Sequence, residues 1–272
     1  MRELRKELTP QEEQKSYAKY FNKPIVIPNP ELMAILQKGP MDPSKVLMPE
    51  HVNELLKDGY GEVETGYCVL QNGTGYVAVN NKFPGVTLEM INWWFAWHGL
   101  EDLRYMLWFS KGHHGIDISD EDRAKILDPD TSMVEKFQGR THYVIEDAGN
   151  GPEDIQISFL KPEELGFDME KLNSKNVTVV GGNGVSKARQ GGPKSPAVMI
   201  HYFREVPGGV ESRSRFWMGY NMIDKTPCKL LPDGIQIPVQ APMGLAFHNV
   251  EEYSNLAAIL PDLYNEMGGK IE

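Results

Sequence analysis

Five short stretches decide the fold: Thr141-His142-Tyr143-Val144-Ile145-Glu146, Ile155-Gln156-Ile157-Ser158-Phe159, Val177-Thr178-Val179-Val180, residues 197–203 (AVMIHYF) and residues 214–220 (SRFWMGY). Their side chains alternate with a period near two, as in a strand whose two faces meet different surroundings. Gly181-Gly182-Asn183-Gly184, Gly191-Gly192-Pro193 and Pro207-Gly208-Gly209 separate them as turn-rich segments, so the strands succeed one another as an antiparallel meander.

Upstream of the meander, Gly66-Tyr67-Cys68-Val69-Leu70 and Tyr76-Val77-Ala78-Val79 flank Gln71-Asn72-Gly73-Thr74-Gly75, a hairpin signal in which Asn-Gly supplies positive φ. Thr87 is placed to cap the apolar stretch LEMINWWFAWHGLEDLRYMLWF, which reads as a buried helix or pair of helices. Downstream, one long apolar helix runs from near Leu245 to Met267, with Pro261 expected to kink it. The first residues, MRELRKELTPQEEQKSYAKYF, read as a charged helix, and beyond them prolines interrupt the short apolar groups of PIVIPNP, KGPMDPSK and MPEHVNELL. The expected organisation is α+β: a partly helical N-terminal arm over residues 1–60, and a domain over 61–272 whose sheet wraps a helix and leaves a cavity between them.

The 272 residues carry 28 Lys plus Arg against 38 Asp plus Glu, a formal net charge of −10. A surface of that sign disfavours nucleic acid and anionic membranes as main partners. At 40% apolar and 10% aromatic the chain has ample material for one core. No stretch approaches the roughly 18 apolar residues of a membrane span, and the start lacks a secretory signal pattern. The two cysteines, Cys68 and Cys228, lie far apart and form no Cys-x-x-Cys, so a reducing, cytoplasmic setting is expected.

His248-x-x-x-Glu252 is the most informative local pattern, because Leu256, Ile259, Leu263 and Met267 continue roughly the same helix face. A carboxylate on an inward face needs a partner, and a divalent metal bound by imidazole and carboxylate would supply it. The alternative is that Asn249 caps the helix and Glu252 completes a capping box. His113 and His114 stand between glycines just past the aromatic helix, which suits either a metal site or an exposed loop. Glu146 ends a strand beside Asp147 and reads equally as a solvated acid. His98 reads as a core histidine; His201, sharing a face with Met199 and Phe203, reads as a core histidine or a cavity-lining acid or base. Glu211-Ser212-Arg213-Ser214-Arg215 fits an exposed face or a carboxylate-arginine network behind a site.

With Trp93-Trp94-Phe95-Ala96-Trp97-His98, Arg104-Tyr105-Met106-Leu107-Trp108 followed by His113, Arg213-Ser214-Arg215-Phe216-Trp217-Met218-Gly219 and His248-x-x-x-Glu252, the chain resembles the zinc-dependent diacetylphloroglucinol hydrolase family, which includes phloretin hydrolase. The resemblance implies a Bet v1-like helix-grip fold, in which a curved antiparallel sheet holds a long C-terminal helix, and a homodimer contacted through the arm. It implies Zn2+ held by His113, Glu146, His248 and Glu252, with adjacent His114 leaving the choice of imidazole open. It further implies hydrolysis of the carbon-carbon bond between an acyl group and a polyhydroxylated ring, as in phloretin or diacetylphloroglucinol. Tyr105, His201 and Tyr220 are then the candidates for proton delivery and phenol orientation. Two other readings stand beside it: a carrier of hydrophobic ligands, which needs no metal, and an iron oxygenase, which would consume oxygen.

Overall fold

The computed structural model describes residues 3–271. Its centre is an eight-stranded, wholly antiparallel sheet in the order β1-β2-β8-β7-β6-β5-β4-β3. The strands are β1 (Gly66–Val69), β2 (Gly75–Pro84), β3 (His113–Ile118), β4 (Thr141–Glu146), β5 (Glu153–Phe159), β6 (Val177–Ala188), β7 (Ser195–Val206) and β8 (Gly209–Met218). A small hairpin of β9 (Tyr220–Ile223) and β10 (Thr226–Lys229) comes next. The helices are α1 (Pro10–Glu13), α2 (Ala18–Phe21), α3 (Pro30–Leu36), α4 (Leu88–Trp97), α5 (Asp102–Trp108), α6 (Asp120–Leu127), α7 (Met169–Asn173) and α8 (Gln240–Met267). Short 3-10 turns at Pro43–Lys45, Pro49–Leu56 and His98–Leu100 complete the set.

The meander from β4 to β8 obeys the alternation in the sequence. Register pairs Met199 with Phe216 and His201 with Ser214, so alternate side chains of adjacent strands share a face. On that face α4, α5 and α8 build a core of Trp93, Trp94, Trp97, Phe203, Tyr253, Leu256 and Leu260. Truncating one of these fully buried tryptophans to alanine would cost roughly 3–5 kcal/mol. On the opposite face Val198, Ile200, Tyr202 and Trp217 pack against Val52, Leu55 and Leu56 of the arm and against Leu165 and Phe167.

Several expectations are corrected. Residues 181–184 do not turn but continue β6, because bare glycines let three strands approach closely: a Cβ on Gly182 would stand 2.1 Å from the Ser158 carbonyl oxygen. The charged N-terminal stretch is not one helix; Thr9 caps α1 and the helix ends four residues later. Within residues 1–60, Tyr17 and Tyr20 join the aromatic core and Leu36 packs with Val77 and Val79. The apolar stretch expected as one buried helix or a pair is the pair α4 and α5, with the Thr87 side chain accepting from the Met90 amide. Arg213 and Arg215 form a buried network with Glu64 on the face away from the cavity, which decides between the two readings of that segment.

Candidate active site

α8 begins at Gln240, five residues earlier than the apolar pattern suggests. Pro242 is tolerated there because first-turn amides have no partner inside the helix. Gly244 is required by close packing, since a Cβ would stand 2.5 Å from Asn150 Nδ2 and 2.6 Å from the Ala148 carbonyl. Asn249 is therefore in mid-helix and caps nothing, which removes the capping reading of Glu252. His248 and Glu252, one turn apart, face inward and are both buried.

His113 and His114 open β3 rather than a loop, and strand alternation separates them. His114 turns to the carbonyl of Arg5, with Nδ1 at 3.0 Å. His113 turns to α8. Its ring stacks on Tyr105 with centroids 4.2 Å apart and planes at 4°. Its Nδ1 lies 3.2 Å from the Tyr105 carbonyl, which can only accept, so Nδ1 carries the proton and Nε2 offers its lone pair to the cluster.

His248 and Glu252 meet at that lone pair, and Glu146 joins them through His248. His113 Nε2 stands 3.4 Å from His248 Nε2 and 3.4 Å from Glu252 Oε2. His248 Nε2 stands 3.0 Å from Glu146 Oε1 and 3.8 Å from Glu252 Oε2. Donors at about 2.0–2.2 Å from a tetrahedral zinc would be roughly 3.3–3.6 Å apart, so the separations among His113, His248 and Glu252, and their imidazole and carboxylate chemistry, fit that ion, with Glu146 standing beside His248 as a fourth donor. The ligand atoms of His113, His248 and Glu252 lie within 4.8 Å of one another, with Glu146 reaching the group through His248. The outer oxygen of each carboxylate is tied: Tyr105 donates to Glu146 Oε2 at 2.5 Å, and Asn249 Nδ2 donates to Glu252 Oε1 at 3.0 Å.

The electrostatics ask for a cation. Burial opposes the charge on His248, but Glu252 and Glu146 outweigh it and raise its pKa to about 9 when only a proton is available. Burial likewise opposes ionisation of Glu146, yet the hydrogen bond and charge from His248 and the Tyr105 hydroxyl hold it at about 2. Burial and the neighbouring Glu146 push the Tyr105 phenol well above its ordinary value.

Glu146, Tyr105 and Glu252 line a cavity of about 210 Å³ between the sheet and α8. One end is closed by buried His98, His142, Trp108 and Phe159; the other reaches half-buried or exposed Asn150, Ser186, Ser195 and Ala241. His201 lies in the wall, with Nδ1 sharing a hydrogen bond with Ser214 Oγ at 2.8 Å, and burial lowers its pKa to about 3, keeping it neutral. Sequence reasoning gave no role to His142, whose place on the Val144 and Glu146 face of β4 was available as a signal, nor to Asn249 as a partner of Glu252.

Tyr220 is a correction. Continuous alternation from Ser214 would turn it to the cavity, but Gly219 at φ +96° ends β8 and redirects the chain. Tyr220 instead packs with Met222 and Leu165 in the core on the other face, and its hydroxyl accepts from Asn72 at 3.2 Å.

A family profile described as the DAPG hydrolase PhiG domain matches residues 47–265. A phloretin hydrolase from Eubacterium ramulus is 36% identical over 262 residues, covering 94% of this chain and 92% of that protein. A 2,4-diacetylphloroglucinol hydrolase from a Pseudomonas species is 32% identical across 93% of this chain and 89% of its own, and one from Pseudomonas protegens is 31% identical across 93% and 85%. The chain belongs to the DAPG hydrolase family. Its named relatives are hydrolases.

Proposed function

We propose that the protein hydrolyses the carbon-carbon bond joining an acyl group to a polyhydroxylated aromatic ring, with phloretin or diacetylphloroglucinol as the type of substrate and Zn2+ held by His113, Glu146, His248 and Glu252. The observation that carries this reading is the convergence of His113, His248 and Glu252, at 3.4–3.8 Å between donors, with Glu146 3.0 Å from His248, beside a largely apolar cavity lined by Glu146 and Glu252. The relatives' names support the substrate class. Bound zinc would supply Lewis acidity toward a ketone oxygen and lower the pKa of water.

The balance of the reaction is simple. Water adds to the ketone carbon, the bond to the ring carbon breaks, the ring keeps the electron pair and takes a proton at that carbon, and the products are the free phenol and a carboxylic acid. Tyr105 is placed to move that proton, because its hydroxyl already donates to Glu146, a carboxylate on the cavity wall. Neutral His201, braced by Ser214, is a hydrogen-bonding group for a phenolic hydroxyl. Trp108 and Phe159 offer flat walls to the ring at the closed end.

The sheet and the long α8 lying along β1 and β2 support a Bet v1-like helix-grip domain over 61–272. The homodimer contacted through the arm, residues 1–60, rests on the family resemblance, and exposed Ile27 and Tyr60 would be available to such a contact. Free cysteines support a cytoplasmic setting, and no helix among the described residues is long and apolar enough to cross a membrane. Incubation with phloretin and with diacetylphloroglucinol, before and after chelation, tests the function: released phloroglucinol-type products that disappear with the metal are expected, and no cleavage of either would overturn it.

A further inference from the structure

We propose that Asn249 and Asn81 are positioning residues: together they hold Glu252 so that a single oxygen faces the two histidines, and so set the affinity of the cluster for zinc. This rests on the proposed zinc site and concerns residues that have no role in it as ligands.

Both amides are buried, Asn249 at 0% and Asn81 at 3% exposure, and a buried amide is costly unless hydrogen-bonded. They are joined in one chain. Asn81 Nδ2 donates to Asn249 Oδ1 at 3.0 Å, and Asn249 Nδ2 donates to Glu252 Oε1 at 3.0 Å. A carboxylate only accepts, so the Asn249 amide must present its NH2 to Glu252, which leaves its Oδ1 to accept from Asn81. With Oε1 occupied, Oε2 is left toward His113 and His248. A strand of the sheet, β2, thus orients a side chain of α8 without approaching the cluster itself.

The two carboxylates are tied by chemically different groups. Glu146 receives a phenol, which has a proton to give; Glu252 receives an amide, which has none to give. Glu252 is held as a pure ligand, and proton traffic falls to the Tyr105–Glu146 side.

The test measures zinc affinity by competition with a chromophoric chelator for the wild type, Asn249→Leu, Asn81→Leu and the double variant, with thermal unfolding of each zinc-free protein alongside. Asn249→Leu should weaken zinc binding about 10–100-fold, the usual effect of losing an outer partner of a ligand. Asn81→Leu should weaken it less, and adding it to Asn249→Leu should change nothing further. Wild-type zinc affinity in both single variants, or fully additive losses in the double, overturns the inference while leaving the metal reading intact. A wild-type protein that takes up no zinc overturns both. If Asn249→Leu fails to fold, Asn81→Leu decides alone, and unchanged affinity there overturns the inference.

Discussion

His248 Nε2 stands 3.0 Å from Glu146 Oε1, so the long helix and strand β4 meet through one imidazole and one carboxylate. More than a hundred residues of chain separate these partners, and neither stretch shows in isolation that it needs the other. Their contact makes β4 and α8 one chemical unit.

Replacing His248 or Glu252 with alanine is expected to abolish turnover and lower zinc content, while the helix, in which alanine is favoured, persists. Activity assays, elemental analysis and circular dichroism of both variants check this. Wild-type turnover in either would remove it from the catalytic set.

Tyr105→Phe keeps the ring that stacks on His113 and removes only the hydroxyl bonded to Glu146. A fall in kcat of roughly 10²–10⁴-fold is expected, as for loss of a proton-transfer group, with zinc content unchanged. A change confined to KM would instead assign the hydroxyl to substrate binding.

Acid should destabilise the metal-free protein from about pH 6.5 downward. Burial lowers the pKa of His98 to about 4 and of His201 to about 3, and takes His142 well below the ordinary value. The unfolded chain binds these protons near pH 6.5 and the folded chain does not until well below it. Stability contributed by each group is therefore whole above pH 6.5 and falls by about 1.4 kcal/mol per pH unit below it, down to the folded pKa. Urea midpoints between pH 4.5 and 7.5 measure the slope, and His201→Gln should reduce it by about one proton.

Gly182→Ala should destabilise by about 1–3 kcal/mol, because the added Cβ meets the Ser158 carbonyl at 2.1 Å and β5 must move from β6. Gly184→Ala, whose Cβ would only touch the Ala197 carbonyl at 3.6 Å, is the control and should cost little. Denaturation curves for the pair separate close strand approach from a general effect of glycine replacement.

The strands were legible wherever alternation was uninterrupted: β4 begins and ends where its pattern does. Glycine defeated the reading in three ways. Within β6 it marks strand crowding rather than a turn; at Gly219 it ends a strand that alternation would continue; and at His113 and His114 flanking glycines suggested a loop where β3 begins. Of the site, His248 and Glu252 show as a pair one helical turn apart, His113 shows only as one of two adjacent histidines between glycines, and the resemblance assigns the ligand roles of His113 and Glu146. Asn249 was misread because the start of α8 lies among Pro242 and Gly244, residues that ordinarily argue against a helix. The Asn81 contact spans 168 positions and has no local signature.

Part of the cavity's open end is made by a connection between strands, while the cluster stands on strands and a helix. Asn150 and Gly151 belong to the β4–β5 connection and Ser195 is the first residue of β7, next to a glycine-rich turn, whereas Ala241 shares α8 with His248 and Glu252. Connections accept substitution and insertion more readily than the elements they join. The shape of the cavity mouth and the cluster are therefore separable heritable traits at that connection: changes around Asn150 can alter what the cavity admits while the cluster stays fixed.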